Sequence, residues 1–172
     1  MKLLILFVLC YGAFAIPIKN DEEVGQEHVP RFALVPDTEG RMYMADLNAE
    51  LPESFFNAEN DVFFILFTPE NQSVGQRIGL NADQIRNSNF VASRPTRFII
   101  HGWNGGAGSI LNSNIGSAYH RNGNFNVIVV DWGLGANTIN YISARNRVNE
   151  VGPYLGIYLF KYFIILNYLN YI

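Results

Sequence analysis

Thr96-Arg97-Phe98-Ile99-Ile100-His101-Gly102-Trp103 is a short apolar stretch that runs directly into a glycine-rich segment. Pro95 opens a short apolar run that suits a buried strand better than a helix, and the glycine-dense stretch Gly102-Trp103-Asn104-Gly105-Gly106-Ala107-Gly108 ends it in a tight turn. Ser109 is placed to cap a helix reaching roughly His120, and Asn122-Gly123 marks the next turn. Val127-Ile128-Val129-Val130 then reads as another strand, with Asp131-Trp132 at its carboxyl end. Gly133 to Asn137 reads as a loop. Asn137 or Thr138 can cap a helix running from Ile139 to about Arg147, with Tyr141, Ala144, Val148 and Val151 as its buried face. Strand, turn, helix, strand, loop, helix is the grammar of a right-handed βαβ unit, so the expected class is α/β with a mostly parallel sheet and flanking helices.

Upstream, Val62 to Phe67 is a continuous aromatic-rich run ended by Pro69, a buried strand, and Arg41 to Leu47 is a second strand candidate. Leu51 to Asn60 connects them, and Asn71 to Arg94 is loop-like with one helical turn at Ala82 to Arg86. The N-terminus has the plan of a secretory signal: Lys2, the apolar run Leu3 to Cys10, then Ala13-Phe14-Ala15 for cleavage. The expected organisation is a signal peptide over residues 1–15, a polar leader over 16–30, one α/β unit over 31–156, and an aberrant hydrophobic tail over 157–172. That tail consists of Ile, Tyr, Leu, Phe, Lys and Asn. It is too short and too interrupted for a membrane span, has no polar face as a helix and does not alternate as a strand. All six residue types have A- and T-rich codons, which also fits translated intron.

Formal charge is −3 over 172 residues, without a basic block, which argues against nucleic acid as a partner. The single cysteine, Cys10, lies inside the signal, so the mature segment has no disulfide, thiol nucleophile or thiolate metal site. Asn71-Gln72-Ser73 is a glycosylation acceptor triplet, with Asn71 the candidate residue. His28, His101 and His120 are far apart and none has a second ligand within a turn, so neither a metal site nor a cofactor is expected. The bland reading makes His101 a turn residue bonded to nearby backbone and leaves His28 and His120 exposed.

A buried strand running into His-Gly and a bulky residue has a chemical use. Attack on an ester carbonyl puts negative charge on its oxygen, and backbone N–H groups must already point to where that charge forms. Glycine lets the chain turn sharply without a Cβ. Together with Val130-Asp131-Trp132 and Tyr141-Ile142-Ser143-Ala144-Arg145-Asn146-Arg147-Val148 followed by Val151-Gly152, the block resembles the pancreatic lipase family over roughly residues 30 to 155. The likeness is greatest to the insect branch, with its phospholipase A1-type enzymes and lipase-like yolk proteins. The resemblance implies a partial α/β-hydrolase fold, a lipid or lipid–water interface as partner, and extracellular location without a stable membrane span. It assigns Trp103 to the oxyanion hole, gives His101 and Gly102 the shaping of that turn, and leaves Asp131 structural.

The chain departs from the family at the nucleophile. A G-x-S-x-G elbow belongs on the strand after the Tyr141 helix, with the acid and then the histidine following it. No serine here has glycine two residues away on both sides, and the last histidine, His120, precedes that position. None of the triad is expected in these residues. Two functions remain open: a secreted carboxylic ester hydrolase, of triacylglycerol lipase or phospholipase A1 type, cut short before its serine and inactive alone; or a non-enzymatic lipid-binding or yolk-type storage protein. A third reading makes the tail a membrane anchor.

Overall fold

A computed structural model of the chain describes residues 30–52 and 54–169. The expected signal peptide, most of the leader and His28 lie outside the described residues. The first element is a hairpin of β1 (Phe32–Pro36) and β2 (Met42–Asp46), antiparallel with Leu34 opposite Met44. Its turn is built by Asp37, whose carboxylate accepts the Glu39 and Arg41 N–H groups at 2.9 Å each and the Arg41 guanidinium at 2.7 Å. Gly40 takes the left-handed conformation that closes it, φ +79°.

The main sheet is assembled from β3 (Phe63–Phe67), β4 (Gln76–Ile78), β5 (Thr96–Ile100) and β6 (Asn126–Asp131), in the spatial order β4-β3-β6-β5. The β5–β6 pair is parallel, joined by α3 (Ile110–Asn122), but β3 runs antiparallel to both β4 and β6. The expectation of a mostly parallel sheet is therefore corrected to a mixed sheet. The reason is physical: β3 and β6 are interior strands covered on both faces, and such strands are apolar throughout whichever way their neighbours run. The strand β4 escapes a sequence reading because three residues carry no period. Strand β5 lies at the edge of the described sheet, with β6 interior.

Helices cover both faces. On one, Ile99, Val127 and Val129 pack with Ile115 and Tyr119 of α3 and with Phe125. On the other, Phe64, Leu66, Phe98, Ile128 and Val130 pack against α5 (Tyr141–Leu169) and the short helices α1 (Ala58–Asp61), α2 (Ala82–Arg86) and α4 (Gly133–Ala136). The helix expected to stop near Arg147 continues to Leu169, with Pro153 inside it. Its buried stripe is Ala144, Val151, Leu155, Tyr158 and Tyr162, at helical spacing, while Val148 of the expected face is exposed. Tyr158 stacks on Phe64, and Tyr162 meets Phe98 and Phe90 edge-on. Residues 157–165 of the tail are thus amphipathic in use if not in composition: Tyr158 and Tyr162 face the sheet, and Ile157, Phe160 and Ile164 face out. The cap also moves, from Asn137 or Thr138 to Asn140, whose Oδ1 accepts the Ile142 N–H at 3.0 Å.

Candidate functional site

The parallel strands β5 and β6 end side by side, and the residues just past them form the candidate site, where open α/β sheets place their ligands. After Ile100 the chain turns through Gly102 to Gly105, closed by a hydrogen bond from the Gly105 N–H to Gly102 O at 3.3 Å. Asn104 sits in the left-handed region, φ +52°, a conformation that asparagine tolerates better than most side chains. Gly105 is a close approach. An added Cβ would collide with the Thr38 hydroxyl, would lie 2.7 Å from His101 Nδ1, and would press Gly102 O at 3.0 Å.

Trp103 is held on every side. Its carbonyl accepts the Thr38 N–H at 2.8 Å and the Thr38 hydroxyl at 2.9 Å, so the β1–β2 turn docks on the glycine turn. Its indole donates to Thr138 O at 2.7 Å, and its ring meets Tyr43 and Tyr141 edge-on. Next along the chain, the Asn104 N–H donates to Ala136 O. The Trp103 N–H, by contrast, has no protein acceptor among the described residues. A pocket of about 260 Å³ is lined by Tyr43, Trp103, Asn104, Asn137, Thr138 and Ile139, the last fully exposed.

His101 is buried behind this turn. Its Nδ1 lies 2.9 Å from Gly102 O; its Nε2 lies 3.2 Å from the Trp132 N–H and 3.3 Å from Asp131 Oδ1. Trp132 stacks on the imidazole and donates its indole N–H to His101 O at 2.7 Å, which ties the two strand ends together. Asp131 Oδ1 also accepts the Gly133 N–H at 3.0 Å. The contact with His101 holds the Asp131 carboxyl below its ordinary range, against the upward push of burial and with help from the Gly133 N–H. Sequence reasoning singled out His101, Gly102 and Trp103, and the structure brings them into one turn. It missed Thr38, which lies 65 residues away along the chain, and it missed that Asp131 reaches His101.

The other singled-out residues lie elsewhere. His120, expected to be exposed, is half-buried at the end of α3, and its Nε2 is enclosed without a partner, as is Asn112 Oδ1. Both residues line a cavity of about 60 Å³ between α3 and β6. Ser109 does precede α3, but its hydroxyl donates to Gly106 O, and the Ile110 N–H is accepted by Glu39 instead. Asn71 is half-buried and closes a turn: its Oδ1 accepts the Thr68 N–H at 2.6 Å and the Thr68 hydroxyl at 2.8 Å, and its amide donates to Leu66 O at 3.1 Å. No helix among the described residues is long and apolar enough to cross a membrane.

The family model described as Lipase matches residues 22–168. Lipase member H-B of Xenopus laevis is 34% identical over 69% of this chain and 26% of its own length. Pancreatic triacylglycerol lipase of Ictidomys tridecemlineatus is 35% identical over 55% of this chain and 20% of its own. Phospholipase A1 member A of Mus musculus is 42% identical over 55% and 22%. The chain thus spans about a fifth to a quarter of the length of these relatives. On the match of the family model to most of its residues, the chain belongs to the lipase family.

Proposed function

We propose that these residues are the N-terminal part of a secreted carboxylic ester hydrolase acting on acylglycerols or phospholipids, with the Trp103 N–H as one donor of its oxyanion hole. One observation carries this reading. Every other polar group of Trp103 is engaged, while its N–H, just past the carboxyl end of β5, has no protein acceptor among the described residues, and Trp103 and Asn104 line an open pocket. A substrate carbonyl oxygen entering there would meet a donor already in place. The names of the relatives, triacylglycerol lipase and phospholipase A1, support the substrate class.

Residues 1–172 hold no G-x-S-x-G and no histidine after the position where that motif belongs, so no ester turnover is expected from them alone. The same absence is what favours the second reading, a lipase-like lipid-binding or storage protein. Sequencing the transcript from codon 150 onward separates the two. A frame in which the α5 codons lead to G-x-S-x-G, then an acid and a histidine, supports the hydrolase. A frame that continues through a comparable domain without the serine supports the binder and defeats the catalytic reading.

A further inference from the structure

We propose that the pocket where β3 and β4 meet α5 binds a single-chain carboxylate, with Arg77 taking the carboxylate and the apolar wall beside it taking the chain. The pocket measures about 420 Å³, within the roughly 300–1,000 Å³ of small-molecule sites. Phe64 pairs with Ile78 across β3 and β4, and Phe63 lies opposite Asp131 of β6. Its lining therefore belongs to the end of the sheet that also carries the Trp103 turn. No lining residue is shared between this pocket and the one beneath Trp103 and Tyr43.

The lining divides by polarity. Val62, Phe64, Ile78 and Leu80 form the apolar wall, and the first three are buried. Arg77 supplies the charge. Its guanidinium sits over the Phe63 ring, 3.7 Å from the centroid, and makes no hydrogen bond or ion pair among the described residues. Arg31, Arg41, Arg86 and Arg94, by contrast, each hold a carboxylate at 2.6 to 2.9 Å. A stacked guanidinium keeps its N–H groups, and their fork matches a carboxylate. Two further polar groups of the lining are unengaged among the described residues. The Gln84 side chain lies against Gly79, where a Cβ would collide with its Oε1, and its amide makes no hydrogen bond. The Tyr158 hydroxyl is buried without a partner, in a residue 2% exposed. Glu59 lines the same pocket and limits the charge of the anion. Burial raises the Tyr154 hydroxyl above its ordinary value, Glu59 adds to the rise and Arg77 opposes it, so both charges act on one lining ring. A phosphate monoester, with up to about two negative charges, meets more repulsion from Glu59 than a carboxylate does. Ester hydrolysis releases a carboxylate of this class, so a hydrolase containing these residues would hold its product here. The binding itself does not depend on that function.

The test is titration of the nitrogen-labelled full chain with sodium octanoate at pH 7, below its micelle concentration, followed by two-dimensional NMR. The Arg77 side-chain N–H and the Ile78, Gly79 and Leu80 amides are expected to shift together and saturate. Octanol, with the same chain and no charge, is expected to bind roughly tenfold more weakly, and Arg77→Gln to weaken octanoate by a similar factor, the effect of losing one charge-assisted pair. Arg77 is exposed, so that variant leaves the core intact, and Arg86→Gln, outside the lining, is expected to bind as the parent does. Octanol bound as tightly as octanoate, unchanged affinity in Arg77→Gln, or shifts confined to other residues would overturn the site. Octyl phosphate bound more tightly than octanoate would overturn the choice of a carboxylate. None of these results touches the oxyanion reading of the Trp103 N–H, and a transcript lacking the nucleophile would leave octanoate binding as described.

Discussion

Gly105 and Gly108 belong to one glycine-rich run, and the structure gives them opposite tolerance for a side chain. A Cβ on Gly105 would collide with the Thr38 hydroxyl and crowd His101 Nδ1 and Gly102 O, whereas nothing lies within 4 Å of one on Gly108. The Thr38 side chain can rotate away only by giving up its buried 2.9 Å bond to Trp103 O, and Gly102 O is backbone and cannot yield alone. Overpacking costs about 1–3 kcal/mol, and the lost hydrogen bond adds about 1 kcal/mol. Replacing glycine also restricts the unfolded chain, which returns about 0.4–1 kcal/mol. Gly105→Ala is therefore expected to lower stability by about 2–3 kcal/mol. Gly108→Ala keeps only the unfolded-state benefit and should be neutral or stabilising by up to about 1 kcal/mol. Urea titration of each variant, followed through the fluorescence of the two tryptophans, reads both differences from the midpoint at constant m-value. Equal effects at the two positions, or a Gly105→Ala variant within about 0.5 kcal/mol of the parent, would refute the packing described around His101.

Asn71→Ala strips the partners from the Thr68 N–H and hydroxyl, both in a fully buried residue, and is expected to cost about 1–3 kcal/mol in the same titration. Tyr158→Phe removes a buried hydroxyl that has no partner and keeps the ring on Phe64, so stability should rise by about 1 kcal/mol; a loss would mean that the C-terminal part of α5 does not pack as described. Burial holds His120 below its ordinary value of 6.5, so the unfolded chain takes up that proton first. Its contribution to stability is complete above about pH 6.5 and is lost as pH falls toward the folded value, and His120→Gln should flatten that decline below about pH 6.5. An unchanged slope in His120→Gln would show the imidazole to be solvated.

Much of the site was legible because its signals are local. Thr96 to Trp103 carries strand and turn in eight consecutive residues, and Val127 to Trp132 repeats the strand signal. What sequence could not supply was partnership. Thr38 bonds Trp103 across 65 positions, and Asp131 reaches His101 across 30, with no periodicity to announce either. Strand direction was misjudged because interior strands such as β3 and β6 are apolar on both faces in parallel and antiparallel sheets alike. In the C-terminal residues composition hides the pattern. With nearly every side chain apolar, the buried stripe of Leu155, Tyr158 and Tyr162 does not stand out from the exposed Ile157, Phe160 and Ile164 until the sheet beneath it is seen.

The proposed role is a backbone oxyanion donor at Trp103, in residues that hold no G-x-S-x-G serine. Incubating the purified full chain with a fluorescent alkylphosphonate that labels activated serines, alongside p-nitrophenyl butyrate turnover, tests it most directly. No labelled serine and no turnover above buffer are expected. Stoichiometric labelling of a serine within residues 1–172, with matching ester hydrolysis, would contradict it.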